Sequence, residues 1–117
     1  MNLIKSKKRV REFGEVFTPP ELVEEMLDAL PAECWEEDKT FLEPSCGTGN
    51  FLVAVLQRKL DAGHNTLQAC STIFGIDIQE DNVLESRRRM LELAPDCKAV
   101  IEHNIVVGDA LKGLPWE

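Results

Sequence analysis

No apolar run in the 117 residues is long enough to cross a membrane: the longest, Phe51 to Leu56, falls far short of a bilayer's thickness. The opening residues Met1-Asn2-Leu3-Ile4-Lys5 lack the apolar core of a secretory signal, so a cytoplasmic protein with reduced thiols is expected. Glycine and proline are sparse, seven and six residues, which excludes fibrous and low-complexity classes, and no internal repeat is found. Cysteine pairs of the C-x-x-C kind are missing. Cys34, Cys46, Cys70 and Cys97 are widely spaced and only His64 and His103 could join them, so free thiols are expected and no metal site.

What is present is an ordinary globular composition, 44% hydrophobic and 29% charged, in a length that suits one core and not two. The charge is divided unevenly. Lys5, Lys7, Lys8, Arg9 and Arg11 all precede the first acid, Glu12, which leaves 8 basic against 21 acidic side chains over residues 12–117. That remainder would repel a phosphate backbone. Residues 1–13 read as a basic tail, either a solvated segment or an arm adding salt-sensitive affinity for DNA, and residues 14–117 as the folded domain.

Thr18-Pro19-Pro20-Glu21 has the form of a capping box, with Thr18 as the cap and Pro19 at the first helical position. Leu22, Val23, Met26, Leu27 and Leu30 follow at helical spacing until Pro31. Glu33 to Lys39 reads as an acidic loop. A strand over 40–43 then enters Pro44-Ser45-Cys46-Gly47-Thr48-Gly49, and a helix over 50–60 shows the stripe Phe51, Leu52, Val55, Leu56 and Leu60, with Gly63 as its stop. Residues 64–71 carry little signal beyond one helical turn. A strand is predicted over 73–77, a helix over 80–93 with Val83, Leu84, Arg87, Met90 and Leu91 inward, and a strand over 105–107. Arg88 and Arg89 fall outside that inward face, with Glu85 paired to Arg89. Strands alternating with helices imply right-handed crossovers and a parallel sheet.

A glycine turn between a strand and a helix brings backbone close to a ligand at a helix N-terminus. The dinucleotide fingerprint G-x-G-x-x-G is not satisfied, because Leu52 stands where its third glycine belongs, and Glu43 at the strand end disfavours a pyrophosphate. A zwitterionic amino-acid ligand suits the place better. Asp77, ending the second strand, is placed to accept from ribose hydroxyls, and Asp109, after the third, from an exocyclic amine. Glu43, Asp77 and Asp109 would share the carboxyl edge of the sheet, where open α/β sheets bind ligands. Each has a structural alternative: Thr18 as a mere helix cap, Gly47 and Gly49 as a tight turn, Cys46 as a small filler, the two aspartates as caps, and Glu43 as a carboxylate satisfied by backbone.

Four segments resemble, in order, the motifs of adenine-N6 DNA methyltransferases of restriction-modification systems: Gly14-Glu15-Val16-Phe17-Thr18-Pro19-Pro20, Leu42-Glu43-Pro44-Ser45-Cys46-Gly47-Thr48-Gly49-Asn50-Phe51-Leu52, Phe74-Gly75-Ile76-Asp77-Ile78 and Val107-Gly108-Asp109-Ala110-Leu111. The resemblance implies S-adenosylmethionine as cofactor. It places Phe17, Thr18 and Pro19 near the methionine carboxylate, Glu43 at the amino group, and Pro44, Cys46, Gly47 and Gly49 along the turn. It also places Asp77 on the ribose, Ile78 on the adenine ring, and Asp109 with Ala110 at the adenine amine. The fold it implies is the front half of a Rossmann-like class I methyltransferase fold, α/β in three layers, with parallel strands ordered 3-2-1 and flanking helices. The family's Asn-Pro-Pro-aromatic catalytic motif has no counterpart, since no Asn-Pro occurs in the sequence, and no catalytic residue is assigned. The expectation is a domain truncated before that motif, an enzyme at family level yet inactive alone, acting on DNA as a fragment, or with a second polypeptide supplying the remaining strands. A non-catalytic acidic interaction module docking on a restriction or methylation complex is the alternative.

Overall fold

The computed structural model describes residues 18–116. The expected basic tail and Phe17 therefore lie outside the described residues. Helix α1 (Pro20–Asp28) leads to strand β1 (Phe41–Glu43), helices α2 (Asn50–Asp61) and α3 (Thr66–Ser71), strand β2 (Ile73–Asp77), helices α4 (Glu80–Leu93) and α5 (Lys98–Asn104), and strand β3 (Ile105–Val107). The three strands form one parallel sheet in the order β1-β2-β3, with β2 central, as the 3-2-1 expectation requires. This is an α/β unit of the partial Rossmann-like kind, its strands joined through helices as parallel neighbours must be.

Side chains alternate across β2. Ile73 belongs to the main apolar cluster with Leu52, Val55 and Leu56 of α2, Val83 and Met90 of α4, Ile101 of α5 and Ile105 of β3, all under 4% exposed. Phe74 instead meets Trp116 edge to face, ring centroids 5.1 Å apart. Gly75 is closely surrounded, because a Cβ there would stand 2.8 Å from Leu52 Cδ1 and 3.2 Å from Cys46 Cβ. The close approach of helix to strand that a third loop glycine usually permits is achieved here by a glycine in the facing strand.

Several local expectations are corrected. Thr18 is not a cap: Pro19 holds that position without a side-chain bond, its carbonyl accepts from the N–H groups of Leu22 and Val23, and Pro20 opens the helix. Of the expected α1 stripe only Val23 and Leu27 are buried, while Leu22, Met26 and Leu30 are exposed. The stop of α2 forms as predicted. Gly63 at φ +86° lets its own N–H reach the Leu60 carbonyl and that of His64 reach Lys59, satisfying carbonyls at the helix end.

The weak segment at 64–71 contains α3, capped by Asn65, whose side chain accepts from Leu67 and Gln68 N–H groups at 3.0 and 3.2 Å. Helix α5 went unpredicted. The inner face of α4 is rotated from the expected one: Asn82, Val83, Ser86 and Met90 are buried and Leu84 is exposed. Arg87 reaches the carbonyls of Ile105 and Glu102. Glu85 and Glu92 take Arg88, whereas Arg89 turns to the glycine loop.

Candidate functional site

The carboxyl ends of the strands are stitched together by backbone. Cys46 N–H donates to the Ile76 carbonyl and Gly108 N–H to the Asp77 carbonyl, each at 2.9 Å, so the segments leaving β1 and β3 are held against the end of β2. Between them lies a cavity of about 300 Å³ lined by Pro44, Ser45, Asp77, Ile78, Gln79, Asp109, Ala110 and Leu111. Five of the candidates meet there: Pro44, Asp77, Ile78, Asp109 and Ala110. Ser45, Gln79 and Leu111 line it too, although the sequence assigns them no role; Ser45 and Leu111 lie inside the matching segments and Gln79 directly follows one.

The two aspartates are in different states. Asp77 is only 8% exposed, and its Oδ2 accepts from Gly47 N–H at 2.9 Å while Oδ1 accepts from Gln79 N–H at 2.8 Å and Asn82 Nδ2 at 3.3 Å. Three of about four acceptor positions are thus filled by the protein. Asp109 Oδ1 accepts from Leu111 N–H at 3.0 Å, and its Oδ2 makes no hydrogen bond among the described residues. The expected structural alternative is present at both, Asp77 as the bracket of the glycine loop and Asp109 as a cap, with one oxygen of Asp109 uncommitted among the described residues.

Apolar walls from Ile78, half exposed, and Leu111, almost wholly exposed, stand beside these acids. Among the described residues the lining holds carboxylates and no cation, which opposes phosphate and favours a ligand rich in hydroxyl and amine donors with a flat apolar part. A nucleoside has those features, and the volume is at the lower end of small-molecule sites.

The remaining candidates surround the cavity without lining it. Glu43 ends β1, where its Oε1 accepts from Ser45 N–H at 3.3 Å, and burial pushes its carboxyl above the usual carboxylate range. It borders an apolar recess with Leu27, Phe41 and Leu52. Cys46 is buried, and its thiol is pushed up to about 12 by burial and then by the Asp77 charge, so it stays protonated at neutral pH and is no nucleophile. Gly47 and Gly49 adopt φ +55° and +93°, left-handed values natural to glycine. Thr18 and Pro19 reach the site only indirectly, through the Thr18 carbonyl, which accepts from Asn50 Nδ2 at 2.7 Å.

Sequence reasoning missed three residues on α4. Asn82, Ser86 and Arg89 contact, respectively, Asp77, the Gly47 carbonyl, and the Thr48 carbonyl with Asn50 Oδ1. Their spacing is helical, but a search for apolar periodicity passes over buried polar residues.

A parallel sheet whose first turn is glycine-rich, with acids at or just past the neighbouring strand ends, defines an α/β unit of the partial Rossmann-like kind, and comparison with known proteins narrows the class. The N-6 DNA Methylase family matches residues 4–92, and the chain belongs to that family. Over 98 residues it is 38% identical to the Type II methyltransferase M.VspI of Vibrio sp. (strain 343), a match taking in 84% of this chain and 21% of that protein. The chain thus spans about a fifth of the length of the curated relative it matches. No solved structure matches it.

Proposed function

We propose that this chain binds S-adenosylmethionine and forms the cofactor-binding part of a DNA adenine-N6 methyltransferase of a restriction-modification system. The observation that carries the reading is the cavity in which Asp77 and Asp109 stand together beside Ile78, Ala110 and Leu111. Family membership and the relative named a Type II methyltransferase support the reaction class.

In this reading Asp109 accepts from the adenine amine of the cofactor through its uncommitted oxygen, and Ile78 and Leu111 cover the base. Asp77 offers its remaining acceptor position to the ribose, while its bond to Gly47 keeps the loop at the cavity's edge. Glu43, Pro44, Cys46 and the segment at Thr18 and Pro19 frame the amino-acid end. Phe17 is proposed there on the resemblance alone. The bound cofactor supplies a sulfonium methyl group. The acceptors that would activate a target adenine amine, an Asn side chain and a Pro carbonyl, have no counterpart in the sequence, so the chain alone is proposed to bind cofactor without transferring methyl to DNA. DNA and a second polypeptide completing the sheet are the proposed partners. Among the described residues no helix is long and apolar enough to cross a membrane.

Isothermal titration with S-adenosylmethionine tests the reading. Wild type should release binding heat, and Asp109→Ala should weaken affinity by about tenfold, the loss expected when a buried donor goes unpaired. A silent wild type would refute cofactor binding and favour the acidic interaction module. Methyl incorporation into DNA by this chain alone would overturn the inactivity.

A further inference from the structure

Three polar side chains at i, i+4 and i+7 occupy one face of α4, and each leaves its helix to grip the frame of the cavity. Asn82 Nδ2 donates to Asp77 Oδ1 at 3.3 Å, Ser86 Oγ to the Gly47 carbonyl at 2.9 Å, and Arg89 Nη1 to the Thr48 carbonyl and Asn50 Oδ1, both at 2.9 Å. Asn82 and Ser86 are wholly buried, although apolar packing of the helix is already supplied by Val83 and Met90. A helix that only needed to pack would bury apolar side chains at those positions as well.

The contacts dictate more than the loop's location. A peptide group is planar and trans, so its carbonyl and the following N–H point in opposite directions. With the Gly47 carbonyl held on Ser86, the Thr48 N–H must face away from α4. With the Thr48 carbonyl held on Arg89, the next N–H, of Gly49, is turned to the Cys46 carbonyl, which it reaches at 3.0 Å. The approach is close enough to require glycine: a Cβ on Gly49 would lie 2.9 Å from Ser86 Oγ and 3.2 Å from Ser86 Cα. One Nη1 of Arg89 carries two N–H bonds, one for each of its acceptors.

We propose that Ser86 and Arg89 are positioning residues, which set the peptide orientations at Gly47 and Thr48 and thereby the loop's grip on the part of the ligand extending beyond the nucleoside. This rests on the cofactor reading given above. The nucleoside-sized cavity is walled by residues 44–45, 77–79 and 109–111, whereas Gly47, Thr48 and Gly49 adjoin it only through the Gly47–Asp77 bond. A disturbance of the loop is therefore felt at the amino-acid arm and not at the base.

The test compares two ligands on the full chain by isothermal titration: S-adenosylmethionine, and methylthioadenosine, which keeps the nucleoside and lacks the amino-acid arm. Ser86→Ala and Arg89→Met should each lose about tenfold in affinity for S-adenosylmethionine, as for one buried polar group left unpartnered. Both should hold methylthioadenosine within about twofold, the scatter of independent sites. Arg89→Lys, which keeps a donor, should recover part of the loss. Should Arg89→Met fail to fold, Ser86→Ala and Arg89→Lys still decide. Equal loss of both ligands would mean a merely structural role and overturn the proposal, as would unchanged affinity for both. A wild type that binds neither ligand overturns the cofactor reading and this inference with it, an outcome distinct from a binding wild type with indifferent variants.

Discussion

The helices on the two sides of α2 use their surfaces in opposite ways. On α4, Asn82 and Ser86 are fully buried and Arg89 is tied to the loop, so that polar groups join the helix to the glycine turn beside the apolar packing of Val83 and Met90. On α1, Leu22 and Met26 remain about half exposed, and the helix is held to α2 chiefly by Val23, Leu27 and the ion pairs of Arg58 with Glu24 and Asp28. Exposed ion pairs of this sort contribute little. The contrast teaches that the glycine loop is fixed from the β2–α4 side, while the α1 side and the three-residue edge strand β1, with Leu42 at 45% exposure, carry apolar surface and, among the described residues, a backbone edge with no strand beside it.

The largest expected effect tests that contrast directly. Leu56→Ala, in the fully buried cluster, should cost about 2–5 kcal/mol in urea unfolding, and Met26→Ala on α1 should stay within about 0.5 kcal/mol. Similar losses would show that α1 is as firmly packed as the centre. Next come the glycines. Gly49→Ala combines a left-handed φ, roughly 1–2 kcal/mol, with displacement of Ser86, which adds about 1–3 kcal/mol. Gly63→Ala, at φ +86° with nothing within 4 Å of the new Cβ, should lose the backbone part alone. Equal costs would remove Ser86 as the reason for Gly49.

A smaller effect concerns Lys59, whose Nζ is buried between the Lys39 carbonyl at 2.9 Å and Thr72 Oγ1 at 2.8 Å. Lys59→Met keeps the stem and strands both acceptors, at about 1–3 kcal/mol by chemical denaturation. Burial also holds this amine below its ordinary pKa of 10.5, so charging it costs the fold, and stability should rise slightly as pH climbs toward that value.

The smallest is at Glu43. Its folded pKa is raised above 4.5, so the ionised form costs stability at neutral pH and the cost fades as pH falls through the raised value. Glu43→Gln should raise the melting temperature at pH 7 and lose that advantage toward pH 4. An advantage independent of pH would deny the burial effect.

The central frame was legible because its signals are local. Strand β2, the start of α4 and the glycine turn each combine a periodic apolar run with a boundary residue, the parallel sheet followed from βαβ alternation, and the strand order came from the family resemblance. The cavity was legible where a motif acid stands at a strand end or just past it, at Asp77 and Asp109. It was opaque at Ser45, Gln79 and Leu111, whose places depend on how the loops turn. Helix α5 escaped because Lys98 to Asn104 is short, carries β-branched Val100 and Ile101, and runs without a break into Ile105-Val106-Val107; tertiary packing on α3 and α4 outweighs its propensity. Arg89 escaped because a helix-surface pair with Glu85 is the default for that spacing, and only the folded loop offers it better acceptors. The proline pair at 19–20 misled by one residue, since either can occupy a first turn.

Leu52 against Gly75 carries a lesson for tracing descent. The void that the helix needs is shared between two distant positions, so bulk at one obliges smallness at the other. Homologues should show the pair drifting jointly, and a search pattern demanding every glycine on the loop would overlook chains that keep the same fit by the opposite assignment.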